Sequence, residues 1–200
     1  MKNYLSLFFL SILFSSCIGS LYPISKNESE FIIRKELFGT WKEGDSNSEY
    51  IIGNTGSVYY RITVIDKDGI PGAAKSISSY DTSRFSAFLV KKNNIYFLDC
   101  FVDVENDIKN SRAVGRNAAA TLLPMHMIFK IQSIKDNELR FSTLDPDLFK
   151  SQSAKKLVSI KHEILSNDEI LLTEQPGKLQ QKLSSTKAVF GEISIFKRVK

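Results

Sequence analysis

The chain has 200 residues, of which 27 are Lys or Arg and 22 are Asp or Glu, giving a formal net charge of +5. The basic residues are dispersed among acids rather than gathered into a stripe, which argues against nucleic-acid binding. Two cysteines and two histidines are too few for a disulfide framework or a His-rich metal site.

The N-terminal segment has the pattern of a secretory signal. Lys2 gives a positive start, residues 4–14 are almost uninterruptedly apolar, and Ser15 and Ser16 stand directly before Cys17. This order of charge, apolar run and small residues is typical of a leader that is removed. The run of about eleven residues is shorter than the roughly 20 that span a bilayer, so we expect no stable transmembrane helix.

The run Leu13-Phe14-Ser15-Ser16-Cys17 resembles the lipobox of bacterial lipoproteins, which is usually Leu, two small residues and Cys. Phe14 stands where that family has an aliphatic residue, with Leu13 one position upstream. The resemblance implies that residues 1–16 are a signal peptide and that Cys17 becomes the acylated first residue, with palmitate among its chains. It also implies a membrane-anchored lipoprotein of the cell envelope. Ile18, rather than Asp, follows the cysteine, which favours the outer membrane over the inner one.

Two other interpretations of this segment stay open. One is a plain signal peptide that is cleaved after Ser16 or near Ser20, with Cys17 incidental. The other is an uncleaved anchor. Under the lipoprotein interpretation, residues 17–30 are predicted to be a lipidated tether, because they contain Gly, Ser, Pro and Asn with little apolar pattern. Residues 31–200 are then a single β-rich domain, long enough for a real core.

Beyond residue 31 the dominant hydrophobic period is two, which is typical of half-buried strands. After Phe31 to Leu37, which could be a short helix or a first strand, the predicted strands lie at 49–52, 58–64, 85–90, 95–102, 125–131, 139–144, 158–164, 169–173 and 193–199. The runs at 85–90 and 95–102 are apolar at nearly every position. We therefore expect both of their faces to be covered.

Helical signals are few. Asp145 followed by Pro146 is a cap signal for a helix over 148–156, and Pro176 with Leu179 and Leu183 indicates a second short helix that could reach Phe190. The fold class is therefore predicted to be mainly β (a β-rich α+β chain): an antiparallel barrel or strongly bent sheet with one to three short helices. Residues 103–121 form a long stretch without periodicity, and they are either disordered, a surface loop or a lid over a ligand site.

Gly39-Thr40-Trp41, at the start of the first strand of this expected barrel, resembles the Gly-x-Trp signature of lipocalin-like proteins. In that family the tryptophan closes one end of an eight-stranded barrel and packs against a basic side chain from a late strand. The resemblance implies a structural pair of Trp41 and Arg198. Together with the segments Leu123 to His126 and Leu144 to Asp147, it also makes most of the chain similar to uncharacterised bacterial lipoproteins.

Few residues indicate catalysis. The sequence has no HExxH, CxxC or GxSxG motif. Cys100 and His126, with Asp99 or Asp103, could form a nucleophile, a base and an orienting group. Strand alternation, however, places Asp99 and Cys100 on opposite faces and favours a solvated His126. We therefore predict no catalytic, cofactor or metal site and interpret Cys100 as a core residue.

The expected function is that of a non-catalytic, lipid-anchored envelope module that binds a small apolar ligand or a protein partner. An accessory subunit of an envelope complex is the alternative, with an exposed strand edge or residues 103–121 as its contact. An unrecognised enzyme is a third possibility. Barrels of about eight strands either fill their interior with side chains or leave room for one small ligand, and the sequence does not decide between these.

Overall fold

Antiparallel strands make up most of the computed structural model, which describes residues 18–66, 81–102, 125–151, 159–165, 169–186 and 189–199. Strands β1 to β12 of these ranges are Gly19–Ser20, Phe31–Ile32, Gly39–Glu43, Glu49–Asn54, Tyr60–Asp66, Asp81–Lys92, Ile95–Phe101, His126–Lys135, Glu138–Leu144, His162–Ile164, Ile170–Leu172 and Phe190–Arg198. The helices are α1, Pro146–Lys150, and α2, Pro176–Ser185; two 3-10 turns lie at Glu28–Glu30 and Lys35–Leu37.

Eight of these strands close into a barrel. Around the ring the order is β3, β4, β5, β6, β7, β8, β9 and β12, and every neighbouring pair is antiparallel. Pairing of β8 with β9 and of β12 with β3 completes the ring. The predicted fold class, a mainly β antiparallel barrel with short helices, is confirmed.

The hydrophobic pattern explains which side chains point into the barrel. On β5, Tyr60 and Ile62 belong to the interior core, whereas Arg61 between them is exposed. On β6 the interior residues Ala87 and Leu89 alternate with Phe88 and Val90, which belong to a second buried cluster outside the barrel. The prediction that this run is covered on both faces is confirmed.

A second layer covers the outer face of β6, β7 and β8. It consists of β1, β10, β11 and α2, with β1 hydrogen-bonded to the start of β8 and the strand order β10-β11-β1-β8. Leu179 and Leu183 of α2 are buried against this outer face, as their i, i+4 spacing indicates. Neither helix of the described ranges has the length and apolar character to cross a bilayer.

The prediction that residues 17–30 form a tether outside the domain is wrong for the described part, which begins at Ile18. Ile18 and Ile24 are 7% and 0% exposed, and Gly19 and Ser20 pair with both β8 and β11. Isolated apolar residues such as these show no periodicity, yet a neighbouring sheet can bury each of them. The folded body therefore begins at least as early as Ile18. Cys17 and the signal segment lie outside the described residues.

Both predicted helices exist but are shorter than expected. The Asp145 side chain caps α1 by accepting the Asp147 N–H at 3.0 Å, and the helix ends at Lys150 rather than at residue 156. The second helix ends at Ser185 instead of Phe190, which is the first residue of β12. The predicted lid or loop at 103–121 lies outside the described residues.

Candidate functional site

One end of the barrel is closed by a cation over an aromatic ring. The guanidinium carbon of Arg198 lies 4.2 Å from the centroid of the Trp41 ring, and the two residues are paired in register between β12 and β3. The guanidinium also donates to the carbonyl oxygens of Glu36, Phe38 and Asp136. The structure therefore brings together the two residues that the Gly-x-Trp resemblance pairs, and it holds the arginine at four points.

The glycine of that motif has a steric role at the same contact. Gly39 has φ +131°, a backbone conformation that side-chain-bearing residues rarely adopt, and a Cβ there would collide with the guanidinium of Arg198. The Trp41 indole N–H donates to the Leu37 carbonyl at 2.8 Å. The sequence Gly39-Thr40-Trp41 thus makes room for the arginine and fixes the ring beneath it.

The N-terminal segment seals this closed end. Leu37 and Trp41 have no exposed surface, and Leu139 of β9 is only 2% exposed. The Tyr60 hydroxyl accepts the Arg34 N–H at 2.7 Å and donates to the Ile32 carbonyl, which ties the segment before β3 to β5. Ligand access through this end would require the segment to detach.

The opposite end, here called the mouth, is different. It is the end from which β5 and β7 lead into residues 67–80 and 103–124, which are outside the described ranges. Two inward positions here, Ser83 and Ser194, carry small side chains and are partly exposed. Six inward apolar side chains are partly rather than fully buried, and we call them the mouth wall: Tyr50, Val64, Phe85, Met127, Phe129 and Phe141.

Aromatic packing and negative charge mark the mouth. The Phe196 ring stacks on Phe141 at 4.7 Å and meets Tyr50 edge-to-face at 5.0 Å between centroids. Burial raises the pKa of Tyr50 to about 12, with added contributions from the negative charges of Glu43 and Asp66. The phenol therefore stays neutral at physiological pH and presents an apolar, polarisable surface.

The possible catalytic set is split between the two sides of the barrel wall. Cys100 points into the interior, is 4% exposed, and burial raises the pKa of its thiol well above the usual range. Asp99, the next residue along β7, points to the outer face, as strand alternation predicts. Asp103 lies outside the described residues. The described geometry therefore gives the thiol no adjacent base.

Asp99 and His126 form a buried pair on the outer face. The Asp99 carboxylate is 2.7 Å from His126 Nδ1, and its other oxygen accepts the Ile24 N–H at 2.7 Å. Burial raises the pKa of Asp99, and these two hydrogen bonds oppose that rise. The expectation of a solvated His126 is wrong, because the N-terminal segment covers this face and leaves the side chain 14% exposed.

Sequence reasoning also missed an ion pair between the buried carboxylate of Glu174 and Lys182, whose side chain is 28% exposed. Glu174 is 2% exposed, and one of its carboxylate oxygens lies 2.5 Å from Lys182 Nζ and accepts the Lys161 N–H at 3.3 Å. This pair ties α2 to the chain that leads into β10. Its members are eight residues apart across a helix boundary, so no helical or strand period indicates the contact.

A small cleft runs along the seam between the N-terminal segment and α2. It has a volume of about 340 Å³ and is lined by polar side chains that include Ser25, Glu30 and Gln180. Glu30 accepts hydrogen bonds from Ser25 at 2.8 Å and from Gln180 at 3.3 Å. These groups therefore hold the two segments together.

No metal site emerges from the described ranges, where Asp, Glu, His and Cys side chains form no group of three that could hold an ion.

In comparisons with known proteins, the chain matches no family model, no curated protein and no solved structure. The mouth is therefore the candidate site on geometry alone.

The structural role of Asp99 can be measured by substitution. Asp99→Ala leaves the buried Ile24 N–H and His126 without their acceptor, and we expect the free energy of unfolding to fall by about 3 kcal/mol. Asp99→Asn keeps an acceptor oxygen and should cost clearly less. Urea unfolding of the three proteins provides the comparison; an Asp99→Ala variant as stable as the parent would contradict this role.

Proposed function

We propose that the protein is a non-catalytic module of the cell envelope that holds one small apolar ligand in the mouth of its barrel. It is anchored to a membrane, the outer one in preference to the inner, through acylated Cys17. No cofactor enters this function.

The observation that carries the ligand proposal is the contrast between the two barrel ends. At the closed end the Arg198–Trp41 contact and the segment before β3 cap the interior, whereas at the mouth the inward side chains Tyr50, Val64, Phe85 and Phe141 are only partly buried. Burial of exposed apolar surface by a ligand contributes roughly 25 cal/mol of binding free energy for each Å² removed from water. A ligand that covers about 200 Å² of such surface would therefore gain about 5 kcal/mol before its own ordering cost.

The side chains of the mouth wall indicate which kind of ligand would bind. Aromatic and aliphatic side chains line the inner face of the barrel at the mouth, and the neutral Tyr50 phenol offers one hydroxyl. The negative charges of Glu43 and Asp66 contribute to the raised pKa of Tyr50. A neutral, largely apolar molecule therefore suits this lining better than an anion does.

One observation favours the alternative role of accessory subunit. Four exposed aliphatic side chains lie on this side of the barrel: Ile193 and Ile195 on β12 are 51% and 38% exposed, Val199 directly after β12 is 39% exposed, and Ile51 on β4 is 37% exposed. A protein partner would cover some of them. Single exposed aliphatic residues are common on soluble surfaces, so this observation argues less strongly than the mouth.

Filling the mouth tests the ligand proposal. Ser83→Trp places a large side chain inside the barrel, whereas Arg84→Trp places the same side chain on the outer face of the same strand. With N-phenyl-1-naphthylamine as a neutral apolar probe, we expect saturable one-to-one binding to the parent and to Arg84→Trp. Binding to Ser83→Trp should weaken at least about tenfold, the equivalent of 1.4 kcal/mol.

Both variants should first be shown to unfold at urea concentrations close to that of the parent, so that a loss of binding reflects the mouth. Equal probe affinity for the two variants would place the probe elsewhere and remove the mouth as the site. Absence of saturable binding to the parent would also count against the proposal.

The anchor is tested separately through Cys17. Cys17→Ala removes the acylated sulfur, and several acyl chains hold a protein to a membrane far more firmly than one does. We expect the variant either to appear in the aqueous fraction or to accumulate as the uncleaved precursor. A variant that fractionates and migrates like the parent would contradict acylation at this residue.

A further inference from the structure

We infer that the closed end of the barrel docks on an anionic lipid surface through six basic side chains, with the mouth turned away from the lipid. Five of the six are exposed and the last is partly exposed: Lys35, Lys91, Lys92, Lys135, Lys197 and Arg198. The inference rests on the membrane location in the proposed function, because that location makes a lipid leaflet the anionic surface beside the protein.

Hydrogen bonds join the parts of the chain that carry these cations into one surface. Arg34 Nη1 donates to the Tyr96 hydroxyl at 3.0 Å, which connects the segment before β3 to the hairpin of β6 and β7. The Arg198 guanidinium donates to the carbonyls of Glu36 and Asp136, which connects β12 to the same segment and to the hairpin of β8 and β9. Basic residues that are dispersed along the sequence are therefore gathered at one end by the fold.

Basic side chains outnumber acidic ones at this end. The strand ends and loops around it contain eight Lys or Arg and three Asp or Glu, within residues 33–38, 91–95, 135–140 and 197–199. Two of the three acids already have basic partners outside the six: Glu36 pairs with Arg34 at 2.9 Å, and Glu138 pairs with Arg140 at 2.7 Å. The described residues of the closed end therefore keep a net positive charge.

The six cations are spread around the end of the barrel rather than gathered at one point. Lys92 is on β6 and Lys197 is on β12, and these strands are four positions apart in the ring of eight, on opposite sides of the barrel. A single phosphate needs donors that converge on it, whereas a leaflet presents many anionic headgroups in a plane. The distribution therefore suits a lipid surface rather than one small anion.

Two of the cations are held in place by aromatic rings. Lys91 Nζ lies 5.2 Å from the centroid of the Tyr96 ring, and the guanidinium carbon of Arg198 lies 4.2 Å from that of Trp41. These contacts restrict long side chains that would otherwise lose rotamer freedom on docking. The closed end thus presents part of its charge in an ordered arrangement.

The charge at the mouth sets the direction of docking. The β3–β4 hairpin at that end, residues 42–49, has the three acids Glu43, Asp45 and Glu49 against the single base Lys42. An anionic leaflet attracts basic residues near its surface and repels acidic ones. The closed end consequently faces the leaflet, and a ligand in the mouth exchanges with the aqueous side.

The single tryptophan reports this contact, because Trp41 lies at the closed end. The acylated protein is reconstituted on vesicles of phosphatidylcholine and on vesicles in which about a third of the lipid is phosphatidylglycerol, so that only the second kind is anionic. Both kinds contain dansyl-labelled phosphatidylethanolamine as the acceptor of tryptophan emission. We expect energy transfer to be at least about twofold greater on the anionic vesicles, and this gain to vanish at about 1 M salt, where the screening length is about 3 Å.

Charge reversal provides a matched control. Lys35→Glu with Lys92→Glu reverses two of the six cations, whereas Lys150→Glu with Lys178→Glu makes the same change in net charge on α1 and α2. All four lysines are exposed, so both variants should unfold at urea concentrations close to that of the parent. We expect the first variant to lose the gain in transfer on anionic vesicles and the second to keep it.

The outcomes separate the docking surface from the anchor. Equal transfer on the two kinds of vesicle, or an equal loss in the two variants, would overturn the docking surface while leaving the anchor intact. Flotation with anionic vesicles but not with phosphatidylcholine vesicles would overturn the anchor alone, and flotation with neither would overturn both. Loss of transfer when double-stranded DNA is added at an equal phosphate concentration would assign the surface to nucleic acid instead.

Discussion

The contact between Arg198 and Trp41 is the constraint on which the barrel depends. It joins β12 to β3, the last and first strands of the barrel in chain order, and the same guanidinium donates to three backbone carbonyls in the segment and turn that close this end. Gly39 is part of the contact because any side chain there would displace the arginine. This end of the barrel is therefore closed by packed side chains, and any space for a ligand must lie toward the other end.

The second layer makes the N-terminal segment part of the same structure. Asp99 accepts the Ile24 N–H from the outer wall of the barrel, and Ile18 and Ile24 fill the cluster beneath α2. From Ile18 onward, the described chain is therefore part of the folded body rather than a flexible leader to the barrel.

The sequence was sufficient to predict side-chain burial where a local hydrophobic period indicates which face of a strand is buried. Alternation on β5 and the doubly apolar run on β6 predicted interior, exterior and covered faces correctly, and the Gly-x-Trp resemblance led to Arg198. The sequence was insufficient where the burial of a residue depends on segments that are distant in the chain. The Asp99–His126 pair, the Glu174–Lys182 pair and the packing of residues 18–30 arise only when the second layer folds over the wall, and no local pattern marks these residues.

The central claim is that the barrel is packed at one end and receives a small apolar molecule at the other. Native mass spectrometry of the full chain, extracted from membranes in mild detergent, addresses it most directly. The account predicts a species heavier than the ligand-free chain by the mass of one small molecule, and this extra mass should disappear when the protein is unfolded. A spectrum that contains only the ligand-free chain, under conditions that preserve known carrier complexes, would contradict the account.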